Sequence, residues 1–544
     1  MRRKGSWLYT PLLWLGFIAY ALPVAAQESI AIPTAGQDQV GGVLERAAKL
    51  ETERRWGEAV TLYEEALREH PSERTLTARH TLAKIHYDLA RRYSDSSYIR
   101  VLGTLGERES LALYSEVLLK IQSHYVSDPN WAALVERGTR GLEIALTEQA
   151  FRDRNIAPTG AARATAYIAQ LRRVLQARTP TTRQQAIDAV AVAGQLARQY
   201  GSIPPTAVIF EYTCGAIGSL DEYSSYLTSD QLNDVYSQIE GNFVGLGIEL
   251  KANDEALQIV KVITGSPADR GGIRAGDRIV AVNGRSTAKL STDQAADLLQ
   301  GEEGSMVDVA VLSPDQSSRR IVLRREHVEV PSVDEVHILD RPNGVGYLKL
   351  TCFQKTTSRD LDTALWRLQR EGMKSLIMDL RGNPGGLLTS SVEVADKFVG
   401  EGVIVSTRGR NSLEDYSYSA HKAGTWSVPL VVLIDRESAS ASEIFAGAIR
   451  DHRRGLVVGQ RSYGKGSVQG IFPLTIAGSG VRLTTAKFYS PSGRQISHFG
   501  VEPNLVVQNV ARPTDQGFMP PPAEGDDPMV AAALAAARRQ IAQR

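Results

Sequence analysis

"PLVVLIDRESASASEIFAGAIRDH", residues 429–452, is the stretch on which the reading of the chain turns. Residues 430–434 form a continuous apolar run of strand length, which predicts a strand buried on both faces. From Ser442 onward the apolar residues recur at helical spacing. Between the two lie three alternating serines, Ser438, Ser440 and Ser442. A strand that turns tightly into a helix presents a turn side chain at the helix N-terminus. Unpaired backbone N–H groups there favour developing negative charge. A serine so placed becomes a nucleophile only if a base takes its proton. A small-residue turn without chemistry is the plainer reading, and the flanking sequence has to choose.

Working outward, the same alternation continues in both directions. "GVGYLKL" reads as a strand, "TSRDLDTALWRLQREG" as an amphipathic helix and "KSLIMDL" as a second buried strand. "RGNPGG" is then a turn and "LLTSSVEVADKFV" a helix, while "VRLTTAKFYSPSGRQI" adds a strand and a turn. Strands alternating with helices predict an α/β layer over residues 330–510, with ligand chemistry at strand ends. The remaining residues, 511–544, read as a Pro-rich linker and a closing helix at "DDPMVAAALAAARRQI".

Histidine is the usual base for a serine, but neither His452, further down the same helix, nor His498, in a glycine-bearing loop, has an obvious arrangement. A lysine serves when burial leaves it neutral. Lys465 stands between Gly464 and Gly466 in "SYGKGSVQ", where the backbone is free to turn it inward. The oxyanion needs two converging N–H donors. Ala441, after the middle serine, supplies one, and Gly385 or Gly386 at the end of "DLRGNPGG" the other. No HExxH and no clustered Cys/His spacing calls for a metal.

Before this layer, residues 242–315 have the order of a PDZ domain. Short strands alternate with loops such as "GSPADRGGIRAGD", and a helix is predicted from about Thr292 to Leu299. Gly245, Leu246 and Gly247 match the loop that holds a peptide's C-terminal carboxylate in such domains. Glycines let successive N–H groups face one anion, and the peptide then extends the sheet.

Residues 40–235 are strongly helical in pattern. Trp56, Ala59, Leu62, Tyr63 and Ala66 resemble half of a tetratricopeptide-type hairpin, with its possible partner helix ending near residue 92. Residues 1–26 read as an export leader: a basic start, the apolar "LYTPLLWLGFIAYAL" and a small-residue cleavage site after Ala26. A cleaved leader and a retained anchor both fit this segment, so membrane contact is expected only if it is retained. With 544 residues the chain has room for three or four domains. Its formal net charge of +1, without a dense basic block, disfavours nucleic acid as partner. The two cysteines, Cys214 and Cys352, make no disulfide framework.

Taken together, "SASASEIFAGAIRDHRRGLVVGQRSYGKGSVQ" and "LIMDLRGNPGG" resemble the C-terminal processing (tail-specific) serine proteases of the S41 type. The resemblance runs from "LDEYSSYL" at 220–227, through the PDZ domain, to "VEPNL" at 501–505. It implies Ser440 as nucleophile, Lys465 as general base, Gln469 as the residue orienting the lysine, and the backbone of Gly386 and Ala441 as oxyanion donors. Ser438 and Ser442 become turn and helix-start residues. It further implies cleavage of proteins near their C-termini, a PDZ domain that engages the substrate tail, and no metal or other cofactor. Asp435 stands where the family usually has asparagine, and the helical region before the PDZ domain is long, with an inserted stretch around 150–215. Substrate delivery or an adaptor is expected to use those helices. The expected fold is thus α/β multidomain: helical N-terminal region, β-rich PDZ domain and α/β protease core, working outside the cytoplasm and in the periplasm if the envelope has two membranes. The competing reading is a catalytically inactive PDZ-bearing scaffold in the envelope, against which the retention of serine, lysine, glutamine and both glycine elements argues.

Overall fold

The continuous apolar runs become the middle of a parallel sheet. Six strands lie in the order Val333–Asp340, Val345–Leu350, Ser375–Asp379, Leu430–Ile434, Leu456–Gly459, Leu505–Val506. The first pair is antiparallel and the other four pairings are parallel. Every residue of Ser375–Asp379 and Leu430–Ile434 is buried, because helices cover both faces. Helices Thr357–Arg370, Leu388–Asp396 and Ala441–Asp451 pack on one face through Leu361, Leu365, Val394, Ile444 and Phe445. The helix Pro528–Ala542 covers the other, setting Met529, Val530 and Ala533 on Tyr347, Ile377 and Val431. Each such aliphatic side chain taken from water contributes about 1.5–3 kcal/mol.

The computed structural model describes residues 39–156, 160–200, 203–252, 257–288, 298–507 and 527–543. The expected leader, most of the expected PDZ helix and most of the Pro-rich linker lie outside the described residues. The chain forms two compact units. Of the described residues, one holds those within 233–507 other than 469–485, together with 527–543, and contains the sheet above; the other holds those within 39–232 and 469–485. In the first unit, Val403–Gly409 also pairs antiparallel with Tyr416–Ser419 and with residues 486–489.

The PDZ portion of that unit is an antiparallel sheet in the order Ile248–Ala252, Leu257–Val262, Arg278–Val282, Met306–Leu312, Ser318–Arg324, closed over a core of Leu246, Ile259, Ile279 and Val309. Asn242–Gly245 pairs separately with Glu326–Glu329. The sheet therefore runs past residue 315, whose position falls in the turn of the last hairpin.

Among the described residues of the second unit, ten helices follow one another from Gln39–Thr52 to Pro205–Gly218. Within the segment compared above to a tetratricopeptide hairpin, Trp56–Glu69 packs on Arg74–Ser94, and Trp56 stacks on His86 with ring centroids 4.0 Å apart. The helix Pro205–Gly218 is apolar around its circumference and buried accordingly. It crosses Trp131–Ala145 where Gly215 meets Gly138, so closely that a Cβ on Gly215 would lie 2.6 Å from the Gly138 Cα. Its one acidic side chain, Glu211, is fully buried and accepts from Arg92 at 2.7 Å. Residues 469–485 complete this unit: Leu474, Val481 and Leu483 enter its core, and residues 480–482 pair with Ser225–Leu227. Both cysteines are buried and free.

Candidate active site

Strands Ser375–Asp379 and Leu430–Ile434 are parallel neighbours, so the turns that leave them emerge side by side at the carboxyl edge of the sheet. One turn is Asp379 to Gly386 and the other is Asp435 to Ser440. Asp435 shapes the second turn: its Oδ1 accepts the N–H groups of Glu437 and Ser438, both at 3.0 Å, and of Gly382 at 3.1 Å from the first turn. All three contacts ask only for an acceptor, which the aspartate supplies.

The three serines separate by what they touch. Ser438 donates to the Leu380 carbonyl at 2.8 Å, and Ser442 donates to the Asn383 carbonyl at 3.0 Å. Both hydroxyls thus hold the backbone of the neighbouring turn. Ser440 stands immediately before the helix Ala441–Asp451 with φ 54° and ψ −111°, a left-handed conformation in a residue that carries a Cβ. Such a position costs about 1–3 kcal/mol and persists only where the surroundings enforce it.

Gly385 and Gly386 are part of that enforcement. A Cβ on Gly385 would lie 2.8 Å from the Ser440 Cβ and 2.9 Å from the Ala441 nitrogen. A Cβ on Gly386 would lie 2.0 Å from the Phe353 carbonyl oxygen, with which the turn forms a short parallel bridge. Only glycine allows the turn to lie this close to the serine. Asn383 fastens it, its amide donating to the Leu350 carbonyl at 2.7 Å and its side-chain oxygen accepting the Gly385 N–H at 2.9 Å.

Lys465 is 2% exposed, and its loop packs against residues 496–500, where the Gly464 carbonyl accepts the His498 N–H at 2.8 Å. The link between the lysine loop and the serine is a residue the sequence reading passed over. Glu443, on the first turn of the serine's helix, is fully buried. Its Oε2 accepts the backbone N–H of Ser440 at 2.8 Å and of Lys465 at 2.9 Å. Its Oε1 accepts the Gly464 N–H at 2.6 Å and the Ser462 hydroxyl at 2.5 Å. Burial pushes this carboxyl up to about 7, and the four donors work in the opposite direction. The spacing Ser440-x-x-Glu443 is that of a capping box, which was the available signal.

Gln469 is fully buried on the strand Ser467–Pro473, at the point where the chain enters the helical unit. Of the histidines weighed as bases, His452 ends the serine's helix, about 18 Å along its axis from Ser440. Its Nε2 lies 2.7 Å from the Val403 carbonyl. His498 is exposed. A small pocket beside Ser440 is bounded by Gly386 and Ala441 and walled by Leu388, Ile444 and Phe488. In the PDZ portion Leu246 is buried, and the loop Gly245 to Gly247 leads directly into Ile248–Ala252, the strand at one end of that sheet.

Comparison with known proteins places these features in a family. The model of peptidase family S41 matches residues 344–507, and that of the PDZ domain matches residues 258–325. The carboxy-terminal-processing protease of Bartonella bacilliformis is 38% identical over 320 residues, covering 57% of this chain and 72% of the relative. The corresponding protein of Picosynechococcus is 35% identical over 292 residues, 53% of this chain and 70% of its own length. Among solved structures, a photosystem II D1 C-terminal processing protease is 26% identical and covers 75% of this chain and 95% of that one, with a TM-score of 0.38. With more than two thirds of such relatives covered at over 30% identity, the chain belongs to the carboxyl-terminal-processing serine proteases of peptidase family S41 that carry a PDZ domain.

Proposed function

We propose that this chain is an exported endopeptidase that cuts proteins near their C-termini with a Ser440–Lys465 dyad. Neutral Lys465 takes the Ser440 proton as Oγ attacks the scissile carbonyl carbon. The tetrahedral oxyanion accepts from the backbone N–H groups of Gly386 and Ala441. Lys465 then delivers its proton to the leaving amine, and the C–N bond breaks to leave an acyl-serine. Water attacks that ester with Lys465 again as base, and the proton returns to Ser440 as the acid product leaves. Gln469 orients the lysine. No metal or other cofactor takes part in these steps.

The observation that carries the reading is the single Glu443 oxygen that accepts both the Ser440 and the Lys465 backbone N–H. The apolar walls beside Ser440 favour a small apolar substrate side chain there. For the tail itself, a C-terminal carboxylate would sit on the loop Gly245, Leu246 and Gly247, and the peptide would add to the end strand Ile248–Ala252. Substrates are accordingly proteins or peptides with free C-terminal tails. The N-terminal helices are the region assigned to an adaptor. Residues 1–26 support export, to the periplasm in a two-membrane envelope.

The test uses residues 27–544 and an unstructured reporter protein ending in a free apolar C-terminus, with cleavage followed by mass spectrometry. Wild type is expected to cut it, and Ser440→Ala and Lys465→Ala, folded normally, are expected to cut at least about 10³-fold more slowly. A Lys465→Ala enzyme of undiminished activity would remove the lysine from its role. Wild type that binds the tail without cutting would favour the scaffold reading. The mass of the chain recovered from the envelope fraction tests cleavage after Ala26.

A further inference from the structure

We propose that Asp527, at the mouth of the C-terminal helix, is a positioning residue for the oxyanion turn and acts through Arg381. The inference rests on the Ser440 reading above and asks what holds the turn opposite that serine. Asp527 lies 146 residues after Arg381 in sequence, yet its Oδ2 accepts from Arg381 Nη1 at 2.6 Å. Its other oxygen caps the helix Pro528–Ala542, accepting the N–H groups of Met529 at 2.9 Å and Val530 at 3.2 Å. One carboxylate therefore grips both a helix and a guanidinium.

Arg381 faces a second carboxylate on its other side. Nη2 donates to Asp379 Oδ2 at 2.6 Å and Nε to Asp379 Oδ1 at 3.0 Å. Asp379 is fully buried and also accepts the Tyr347 hydroxyl at 2.8 Å and the Arg381 N–H at 2.9 Å. The planar fork of an arginine held by two carboxylates has one orientation, and its backbone is fixed with it. That backbone is the start of the turn. It continues through Gly382 and Asn383 to Gly385, which lies against Ser440, and Gly386, the proposed oxyanion donor. Released from Asp527, the guanidinium keeps only Asp379 as partner and loses its single orientation, because Arg381 borders an open cleft of about 430 Å³ lined also by Lys349, Asp435, Arg436, Glu437, Gln460 and Met529.

Covering the sheet would not by itself require this contact. The helix is also tied near its far end, where Arg538 Nε donates to Asp340 Oδ2 at 2.7 Å, and that ion pair touches no part of the turn. The two anchors thus provide an internal control. Asparagine and serine cap helices well, so Asp527→Asn and Asp527→Ser keep the cap while removing the charge that holds Arg381. Arg538→Gln removes the distal anchor alone.

Wild type and the three variants, with Ser440→Ala beside them, are assayed as full chains on the reporter for kcat and KM, and their thermal midpoints are recorded. Asp527→Asn and Asp527→Ser are expected to lower kcat roughly tenfold with KM within about twofold, the signature of a misplaced donor rather than lost binding. Arg538→Gln is expected to keep wild-type kcat even if its midpoint falls. Wild-type kcat in both Asp527 variants overturns the proposal. So does a kcat that falls in step with thermal midpoint in the variants of both anchors, since generic helix docking would then explain it. A Ser440→Ala protein that still cuts would instead overturn the underlying dyad and leave the anchors to be judged against another nucleophile.

Discussion

Glu443 has four donors and almost no water, which sets two opposing demands on one carboxyl. The donors want the charged form, and burial wants the neutral one. Its folded-state value, about 7, lies above the ordinary 4.5, so the folded chain holds this proton more tightly than the unfolded chain. The stability this group contributes is complete below about pH 4.5 and is lost as pH rises through 7. Urea midpoints at pH 5 and pH 8 should therefore fall more in wild type than in Glu443→Gln, which does not titrate; equal falls would count against the shift. The same substitution presents an amide N–H₂ to donors and is expected to lower kcat by about ten- to a hundredfold and stability by about 1–3 kcal/mol. Ser440 and Lys465 were legible as candidates from their neighbours in sequence. Glu443 was not, although it stands in the same quoted stretch, because a first-turn glutamate reads as a solvated cap until four donors from another loop arrive on it.

At the scale of single elements, the turn from Asp379 to Gly386 is where backbone geometry is most demanding. Two glycines in it make a matched pair of tests. A methyl at Gly386 would lie 2.0 Å from the Phe353 carbonyl oxygen, whereas one at Gly382 meets nothing nearer than a Glu437 carboxylate oxygen at 3.6 Å. Gly386→Ala is expected to cost about 10²–10³ in kcat through the displaced donor. Gly382→Ala, with φ 69°, is expected to cost about 1–2 kcal/mol of stability and to leave kcat near wild type. Steady-state kinetics and thermal melts of the two variants decide it, and equal losses of kcat would remove the special standing of Gly386. Elements whose apolar pattern is continuous and short, such as Leu430–Ile434, or amphipathic, such as Thr357–Arg370, were readable in advance. Pro205–Gly218 fell inside the region read as helical but was not singled out as an element, because a helix buried on every side has no polar face and so no helical period. Leu456–Gly459 and Ser467–Pro473 were missed because they flank a glycine-rich loop whose chemistry drew the reading instead.

For the whole molecule, the PDZ portion precedes the protease core as a segment whose two ends meet. Val330 donates to the Gly241 carbonyl at 2.8 Å, just outside the paired strands Asn242–Gly245 and Glu326–Glu329. Residues 242–329 are thus removable at closed ends. If tail binding also gates the site, their deletion should change the turnover number on a short peptide as well as the affinity for tailed proteins, and an unchanged turnover number would leave only tethering. The α/β and helical textures of the chain were readable from periodicity, and the PDZ portion from the order of its short strands and loops and its likeness to such domains. The detour of residues 469–485 into the helical unit was not, since no local pattern reports which distant core a strand will join.

That detour sets an order of events during synthesis. The described helices from Gln39–Thr52 to Pro205–Gly218 are complete once residue 232 has been made, but Leu474, Val481 and Leu483 of the core they share and the partner strand of Ser225–Leu227 come about 250 residues later. At about 5–20 residues per second the ribosome supplies them only after a delay of the order of 12–50 s. Through that interval the first half of the chain carries an open apolar seam that nothing yet made can close, and it is there that a chaperone would find its longest-lived target.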